Sequence, residues 1–227
     1  MRIGLISDVH GNIFALEAVL EVLKHEPIDE ILFAGDFVGY YPFVNEVIDR
    51  LRTEKVIAVL GNHDRYLLDP KRISTEKWQA YCLEGAAHVI SSDNLAWLKQ
   101  LPERREVNLD DLRIILCHGS PWAFDEYIFP NSGQWERFSE LDADVVVLGH
   151  SHIPFAKDVN RLQIISPGSC GQPRDYKPGA CYAVLETENR KVMLYRESYD
   201  IQRLVKILVD RKFPLALIHI LTRENNS

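Results

Sequence analysis

The sequence has few cysteines and no pair of them at short spacing. Its 227 residues include four, Cys82, Cys117, Cys170 and Cys181, and no CxxC motif. Such scatter is typical of reduced, buried thiols, and it disfavours both a disulfide framework and a structural zinc site built on thiolates. Any metal ion that the protein binds must therefore be held by other ligands.

The chain also lacks long apolar runs and basic stripes. No run of 18 apolar residues occurs, and the first residues do not have the charged start, apolar stretch and small-residue cleavage site of a signal peptide. We therefore expect a cytoplasmic protein without a membrane segment. The formal net charge of −7 makes nucleic acid an unlikely partner. A small phosphorylated substrate is still compatible with this charge, because bound cations reverse it locally.

The first part of the chain alternates short apolar runs with segments of helical periodicity. We predict strands at residues 3–7, in EILFAG and in KVIAVLG, and helices at residues 13–24 and 44–51. We predict that Asn12 caps the first helix. This alternation favours an α/β protein with a largely parallel, buried sheet.

The remaining chain is predicted to be helical at about 66–101, up to Pro102, and then rich in strands. Hairpin turns are predicted at DD, between REVNL and LRIILCH, and at ENR, between CYAVLE and KVMLYRE, so this half is antiparallel or mixed. Amphipathic helices are predicted at about 200–221, packed on the sheet, although the last apolar segment could instead serve a homo-oligomer. With an apolar content of 46% and no linker or repeat, we predict a single domain over residues 1–227.

Five short stretches share one form, in which a predicted strand ends and Asp, Asn or His follows in the turn. They are DVHGN, AGDFVG, LGNHD, LCHGS and LGHSH. Each stretch alone is explained by an ordinary turn, a helix cap or a hydrogen-bonded histidine. Five of the eight histidines lie in these stretches, however, and strand ends of an α/β sheet converge on one crevice. Carboxylate, imidazole and amide ligands suit manganese, iron, zinc or nickel.

The ordered blocks DxH, GDxx, GNHD, H and GHxH resemble the signature of the calcineurin-like metallophosphoesterase superfamily. The stretch SPGSCGQPRD, followed by a YAVL strand, is similar to its small bacterial and archaeal phosphodiesterase-like branch. The resemblance implies a four-layer αββα sandwich of two packed mixed β-sheets flanked by helices. It also implies an enzyme, a metal-dependent phosphodiesterase or phosphatase.

The resemblance further implies two divalent cations, with manganese first and iron, nickel, zinc or magnesium as alternatives. One cation would be bound by Asp8, His10 and His152, the other by Asn62, His118 and His150, and Asp36 would bridge them. A hydroxide held between the cations would attack phosphorus in line with the leaving oxygen, and His63 would protonate that oxygen.

The sequence also departs from the superfamily pattern. Where its protein phosphatases have GDxVDRG and GNHE, this chain has GDFVGYY and GNHD, so that Gly39 and Tyr40 replace an acid and an arginine. The acid that would orient His63 is missing there, and Asp64 is the candidate substitute. A phosphoprotein substrate is therefore disfavoured.

Substrate-binding residues are less well specified. Arg174, with Asn62, is the candidate for binding the phosphate, although an ion pair of Arg174 with Asp175 is an equal alternative. The aromatic loop at 119–138 could stack a base, but burial of its aromatic residues is favoured, and either this loop or the 66–101 helices would set specificity.

Alternative functions are a hydrolase of dinucleoside polyphosphates, a metal-binding scaffold without catalysis and, disfavoured by the acidic charge, a repair-type nuclease.

Overall fold

Two five-stranded mixed β-sheets lie at the centre of the computed structural model, which describes residues 1–133 and 135–222. Residue 134 of the predicted aromatic loop and residues 223–227 of the predicted domain lie outside the described residues. The strands are β1 (Arg2–Ile6), β2 (Glu30–Phe33), β3 (Ile57–Ala58), β4 (Arg104–Leu109), β5 (Leu112–Cys117), β6 (Val145–Val147), β7 (Pro154–Val159), β8 (Leu162–Pro167), β9 (Ala180–Glu186) and β10 (Lys191–Glu197). Their order is β10-β9-β1-β2-β3 in the first sheet and β4-β5-β6-β8-β7 in the second.

Each sheet has a parallel part that directs its strand ends to one edge. In the first sheet β1, β2 and β3 are parallel, and β9 and β10 are antiparallel additions. In the second sheet β5, β6 and β8 are parallel, with β4 and β7 as antiparallel outer strands. The hairpins predicted at DD and ENR are confirmed, since β4 pairs with β5 and β9 with β10.

The helices predicted at 13–24 and 44–51 are present, whereas the region predicted to be helical at about 66–101 consists of short helices, the first of which already begins at Asn62. The helices are α1 (Ile13–His25), α2 (Val44–Thr53), α3 (Asn62–Leu68), α4 (Thr75–Ala80), α5 (Leu83–Val89), α6 (Ser92–Leu98), α7 (Ile201–Asp210) and α8 (Leu215–Thr222). The predicted cap is confirmed, because the Asn12 side chain accepts a hydrogen bond from the Ala15 N–H at 3.2 Å. No described helix has the length and apolar character needed to cross a membrane.

Alternating side chains of the two sheets form the central core. Ile3 and Leu5 of β1 are fully buried together with Ile114 and Leu116 of β5. The other face of the first sheet is covered by the apolar sides of α1 and α2, as amphipathic helices require. The outer face of the second sheet is covered by the segment after β5, with its 3₁₀ helix Trp135–Glu140. This arrangement confirms the predicted four-layer sandwich.

The C-terminal helices pack on the same body. Leu204 and Leu208 of α7 are fully buried in a cluster with Tyr40 and Tyr41, which belong to the loop after β2. These contacts favour the prediction of a single domain, which stays a prediction.

Candidate metal centre

Polar side chains converge where β1, β2, β3, β5 and β6 end, at the edge shared by the two sheets. We call this group the strand-end cluster; it consists of Asp8, His10, Asp36, Asn62, His118 and His152. All six are at least 95% buried. Burial of this many polar groups is costly unless they are paired or hold an ion, so their convergence points to a ligand.

One part of the cluster is formed by Asp8, His10 and His152. The Nε2 atoms of His10 and His152 lie 3.1 Å apart, and His152 Nε2 lies 3.3 Å from Asp8 Oδ1. The Asp8 Oδ1 atom is 3.8 Å from His10 Nε2. Three donor atoms this close together can share one cation.

Asp36 joins this part of the cluster to the second part. Its Oδ2 atom lies 3.5 Å from His10 Nε2 and 3.2 Å from His118 Nε2. His118 Nε2 in turn lies 2.9 Å from Asn62 Oδ1. Asp36 Oδ2 is buried and has no hydrogen-bond partner among the described residues. A buried carboxylate oxygen without a partner is expected where an ion binds.

The three imidazoles of the cluster are oriented by backbone carbonyls. The Nδ1 atoms of His10, His118 and His152 lie 3.0, 2.7 and 2.6 Å from the carbonyl oxygens of Val38, Ala34 and Gln172. A carbonyl only accepts hydrogen bonds, so each Nδ1–H donates and each Nε2 faces the cluster. Metal-binding histidines are typically fixed in this way.

The backbone at the strand ends is strained. Asp8, His10, Asp36, His150 and His152 have φ values of 54°, 51°, 63°, 64° and 59°. Non-glycine residues rarely adopt this left-handed conformation, which costs about 1 kcal/mol or more each and is concentrated at functional sites.

Two glycines allow the ligand loops to approach each other. A Cβ atom at Gly61 would lie 2.1 Å from Asp36 Oδ1, and one at Gly149 would lie 2.1 Å from Ser7 Oγ. Any larger residue would therefore displace Asp36 or the β1 end. This explains the glycine before the ligands in LGNHD and LGHSH.

The surroundings favour protonation states that suit a cation site. Burial alone raises the pKa of a carboxyl, but the imidazoles around Asp8 and Asp36 outweigh it and hold both pKa values below the ordinary value. Burial lowers the pKa of His10 to about 4 and that of His150 to about 3. Ionised carboxylates and neutral imidazoles are the forms that bind cations. His118 is the exception, because the carboxylates outweigh burial and raise its pKa to about 9, so this imidazole must lose a proton when a cation binds.

His150 lies beside the cluster, with its ring centroid 5.1 Å from that of His118. Its Nε2 atom is 3.0 Å from the carbonyl oxygen of Asp125, and its ring stacks on Tyr127 at 3.8 Å. Its backbone N–H donates to both oxygens of Asp8, each at 3.1 Å. Its role as a ligand of the second cation stays a prediction.

His63 adjoins the cluster from the start of α3. One of its ring nitrogens lies within 4.8 Å of donor atoms of His10 and Asp36. Its backbone N–H donates to Asp36 Oδ1 at 2.8 Å, so the bridging candidate and His63 are directly linked. Its Nδ1 atom is buried without a hydrogen-bond partner among the described residues.

Asp64 does not orient His63 as the sequence suggested. Its carboxylate accepts backbone N–H bonds of 2.9–3.1 Å from Gly61, Asp36, Phe37 and Val38. Among the described residues, none of its hydrogen bonds reaches the His63 ring. Asp64 instead joins the loop after β2 to the start of α3, a structural role that the GNHD motif by itself does not reveal.

Arg174 lies at the mouth of the site and is not paired with Asp175, whose carboxylate binds Arg196 at 2.5 Å. The Arg174 Nη2 atom donates to the Tyr40 hydroxyl at 3.1 Å. Burial acts to lower its pKa, but the neighbouring tyrosines Tyr40 and Tyr127 outweigh it and raise the pKa above its ordinary value. A largely buried guanidinium whose described partners are tyrosines is available to bind an anion.

The aromatic loop is only partly buried. Phe138 is fully buried, whereas Trp122, expected to be buried, is 43% exposed. Tyr127 and Phe129 are also exposed, and their rings are parallel, with centroids 5.5 Å apart.

Three tyrosines border the site. The sequence patterns did not single them out individually as functional residues. We call Tyr40, Tyr81 and Tyr127 the tyrosine rim. Tyr40 and Tyr81 contact His63, and Tyr127 contacts His150. Two sequence signals point to them: Tyr40 stands where an arginine is found in the protein phosphatases, and Tyr127 lies in the aromatic loop at 119–138.

The donor set therefore fits a metal site, because buried carboxylates and oriented imidazoles converge with a free carboxylate oxygen at their centre. Together with the two packed sheets, it defines the class of metal-dependent hydrolases with strand-end ligands. The chain belongs to the calcineurin-like phosphoesterase superfamily, whose domain model matches residues 1–190. It is a metal-dependent phosphoesterase.

Similar proteins support this assignment. The uncharacterized protein MJ0912 of Methanocaldococcus jannaschii is 32% identical, over 93% of each chain. The phosphodiesterase MJ0936 of the same organism is 26% identical, over 87% of this chain and 98% of its own. The crystal structure of a metallophosphoesterase from Sphaerobacter thermophilus is 30% identical and has a TM-score of 0.84, with 98% of this chain and 99% of that chain covered.

Proposed function

We propose that the protein binds two divalent cations and hydrolyses a phosphodiester or phosphomonoester of a small molecule by in-line displacement. The supporting observation is the position of Asp36 between two groups of ligands, with Oδ2 3.5 Å from His10 Nε2 and 3.2 Å from His118 Nε2. Asp8, His10 and His152 would hold one cation. The other would be held by Asn62, His118 and His150. Two bound cations supply an activated water and the positive charge that offsets charge developing on phosphorus.

The residues of the chain have distinct tasks in this reaction. Arg174 binds a phosphoryl oxygen through its guanidinium, with Asn62 beside the same group. The attacking water gives up one proton to solvent, and its oxygen forms the new bond to phosphorus while the ester P–O bond breaks. As that bond breaks, the protonated His63 ring donates a proton to the leaving oxygen, which departs as a neutral alcohol, and His63 regains a proton from solvent.

Manganese is the first candidate for the cations, and iron, nickel, zinc and magnesium are the alternatives, because N/O sites accept several of these ions. The substrate is proposed to be a small phosphoester or a nucleotide. A cytoplasmic location and a homo-oligomer stay predictions.

A panel of metal-reconstituted samples tests the proposal. Apo-protein is loaded separately with Mn, Fe, Ni, Zn and Mg and assayed on a generic phosphodiester, a generic phosphomonoester and diadenosine polyphosphates. We expect hydrolysis with at least one metal, at two ions per chain measured by elemental analysis. Full activity at one ion per chain would overturn the dinuclear mechanism. If no sample carrying two ions per chain hydrolyses any of these esters, a metal-binding scaffold becomes the better description.

A second candidate is a hydrolase of dinucleoside polyphosphates. It is favoured by the exposed, parallel rings of Tyr127 and Phe129 beside His150, since such rings can stack a nucleobase. In the same panel, this candidate requires a kcat/KM on diadenosine polyphosphates that exceeds the value on the generic diester. The Phe129→Leu variant should reduce that preference and leave the rate on the generic diester unchanged.

A further inference from the structure

We propose that Tyr81, with Tyr40, positions the His63 ring for proton transfer through ring packing instead of a hydrogen bond. This inference rests on the proposed function, in which His63 is the proton donor. It assigns to the tyrosine rim a task in catalysis and makes Tyr81 the principal positioning residue.

The first step is that, within residues 1–133 and 135–222, no hydrogen bond holds the ring. The His63 Nδ1 atom is buried without a hydrogen-bond partner in that part of the chain, and there the backbone N–H of His63 donates to Asp36, whereas its ring makes no side-chain hydrogen bond. The nearest acid in sequence, Asp64, uses its oxygens for backbone N–H groups. Rotation of the imidazole about its side-chain bonds is therefore limited only by packing.

The second step is that aromatic rings enclose His63. The Tyr81 ring stacks on it with a centroid distance of 4.2 Å and an interplanar angle of 24°. The Tyr40 ring lies at 4.7 Å, tilted by 58°, and the His10 ring at 4.5 Å, edge-on at 68°. A flat neighbour at stacking distance excludes rotations that would turn the imidazole out of its plane.

The third step concerns Gly39. A Cβ atom built at this position would lie 2.3 Å from His63 Nδ1, so the imidazole occupies the space that any side chain at residue 39 would need. Gly39 has a φ of 98°, which also disfavours a larger residue. The absence of a side chain here is what lets His63 lie flat against Tyr81.

The fourth step is that the two tyrosines are themselves held in place. The backbone N–H of Tyr40 donates to the Tyr81 carbonyl at 2.8 Å, and their rings form an edge-to-face pair at 5.6 Å. The Tyr40 hydroxyl accepts the hydrogen bond from Arg174, and its ring belongs to the apolar cluster of α7 and α8. The packing surface presented to His63 is therefore continuous with the body of the protein.

The consequence can be measured through the leaving group. A basic leaving group such as benzyl alkoxide needs a proton in the transition state, whereas 4-nitrophenolate leaves without one. A misplaced proton donor therefore slows hydrolysis of the benzyl ester and not that of the 4-nitrophenyl ester. We compare kcat on 4-nitrophenyl and benzyl esters of the same phosphate, with metal-loaded full-length protein.

Tyr81→Leu removes the stacked ring from a half-buried position. We expect kcat on the benzyl ester to fall about tenfold or more, and kcat on the 4-nitrophenyl ester to change by less than about threefold. Tyr81→Phe keeps the ring and should restore the benzyl rate. The matched control is Trp78→Leu in α4, the helix that ends directly before Tyr81, because Trp78 makes none of the described ring contacts with His63 and should show no leaving-group selectivity.

The outcomes separate this inference from the function on which it rests. If His63→Ala is selective for the benzyl ester and Tyr81→Leu behaves like wild type, or loses both rates equally, the inference is overturned and the function stands. If wild type hydrolyses neither ester with any metal, the proposed function fails and the inference fails with it. If wild type is active and His63→Ala loses nothing, the acid role of His63 fails, and the inference fails with that role. Should Tyr81→Leu not fold, Tyr40→Leu is compared with Tyr40→Phe, which loses the same hydrogen bond to Arg174 but keeps the ring. Relative to Tyr40→Phe, we expect Tyr40→Leu to show the same selective loss on the benzyl ester, and an equal loss on both esters overturns the inference.

Discussion

The strand-end cluster and the tyrosine rim border the same site, but they are built differently. Each side chain of the cluster follows a strand within a few residues and is at least 95% buried. The rim comes from the loop after β2, the end of α4 and the loop after β5, and Tyr127 is 42% exposed. The comparison teaches that the residues proposed to bind cations lie close to strand ends, whereas the residues proposed to position the proton donor and contact the substrate belong to longer connections.

The two regions should therefore respond differently to mutation. Within the cluster, a lost donor leaves buried polar groups unpaired and removes a cation, so metal content and activity should fall together. At the rim, a lost ring changes the placement of other groups, so activity should change while metal content is kept.

The largest effect is expected from Asp36→Asn in the strand-end cluster. The amide can still accept the His63 N–H, but it lacks the charge needed to bridge two cations. We expect turnover to fall to the background rate and at least one ion per chain to be lost, measured by elemental analysis alongside the assay. Asp49→Asn, whose side chain is 63% exposed, is the matched control. An Asp36→Asn protein with two ions and a normal rate would contradict the bridging role.

The His63→Ala variant tests whether His63 is a metal ligand, like the strand-end cluster, or a proton donor that the tyrosine rim positions. We expect kcat to fall about a hundredfold or more on an ester with a poor leaving group, as for loss of a general acid, with metal content unchanged. Because a His63 nitrogen lies within 4.8 Å of donor atoms of His10 and Asp36, metal content is the deciding measurement. Loss of an ion would make His63 a ligand, and equal rates for variant and wild type would remove its acid role.

Asp64→Asn tests the structural role that replaces the predicted catalytic one. Its carboxylate accepts four backbone N–H bonds, and an amide group would turn a donor toward part of them. We expect the free energy of unfolding to fall by about 2 kcal/mol, measured by denaturant titration, with Asp111→Asn in the exposed β4–β5 turn as control. A loss of kcat with unchanged stability would instead return Asp64 to the role of orienting His63.

The smallest effect is expected at the mouth of the site, from Arg174→Lys. Lysine keeps the charge but not the planar donors that face Tyr40 and the substrate. We expect KM to rise by about tenfold with little change in kcat or metal content. Arg161→Lys, in the exposed β7–β8 turn, should leave KM unchanged. If KM is equally unaffected in Arg174→Lys, the guanidinium does not bind the phosphate.

Much of the fold was predictable because the periodicity of apolar residues is local. The α1 helix begins after Asn12 as its capping pattern predicts, and the turns DD and ENR form the hairpins of β4–β5 and β9–β10. The segment that covers the outer face of the second sheet was harder to predict from the sequence. It is the long connection after β5 with the 3₁₀ helix Trp135–Glu140, and it has no regular apolar repeat.

The site was predictable to the extent that its residues stand next to strands. Asp8, His10 and His152 meet as the pattern implies, although Asp8 and His152 are far apart in sequence. The partners of polar side chains were not predictable, because they depend on which loops meet. Asp64 binds backbone N–H groups instead of His63, and Asp175 pairs with Arg196 instead of Arg174.

The sequence by itself determined the order of strands and helices and the ligand types at the strand ends, because both depend on local patterns of apolar residues and turn formers. Only the tertiary structure decided which nitrogen of His10, His118 and His152 faces the cluster, since distant carbonyls accept the opposite N–H. It also decided that His63 lies against Tyr81, because the loop after β2 leaves room at Gly39 for the imidazole. Contacts of this kind depend on the packing of segments that no local pattern relates to one another.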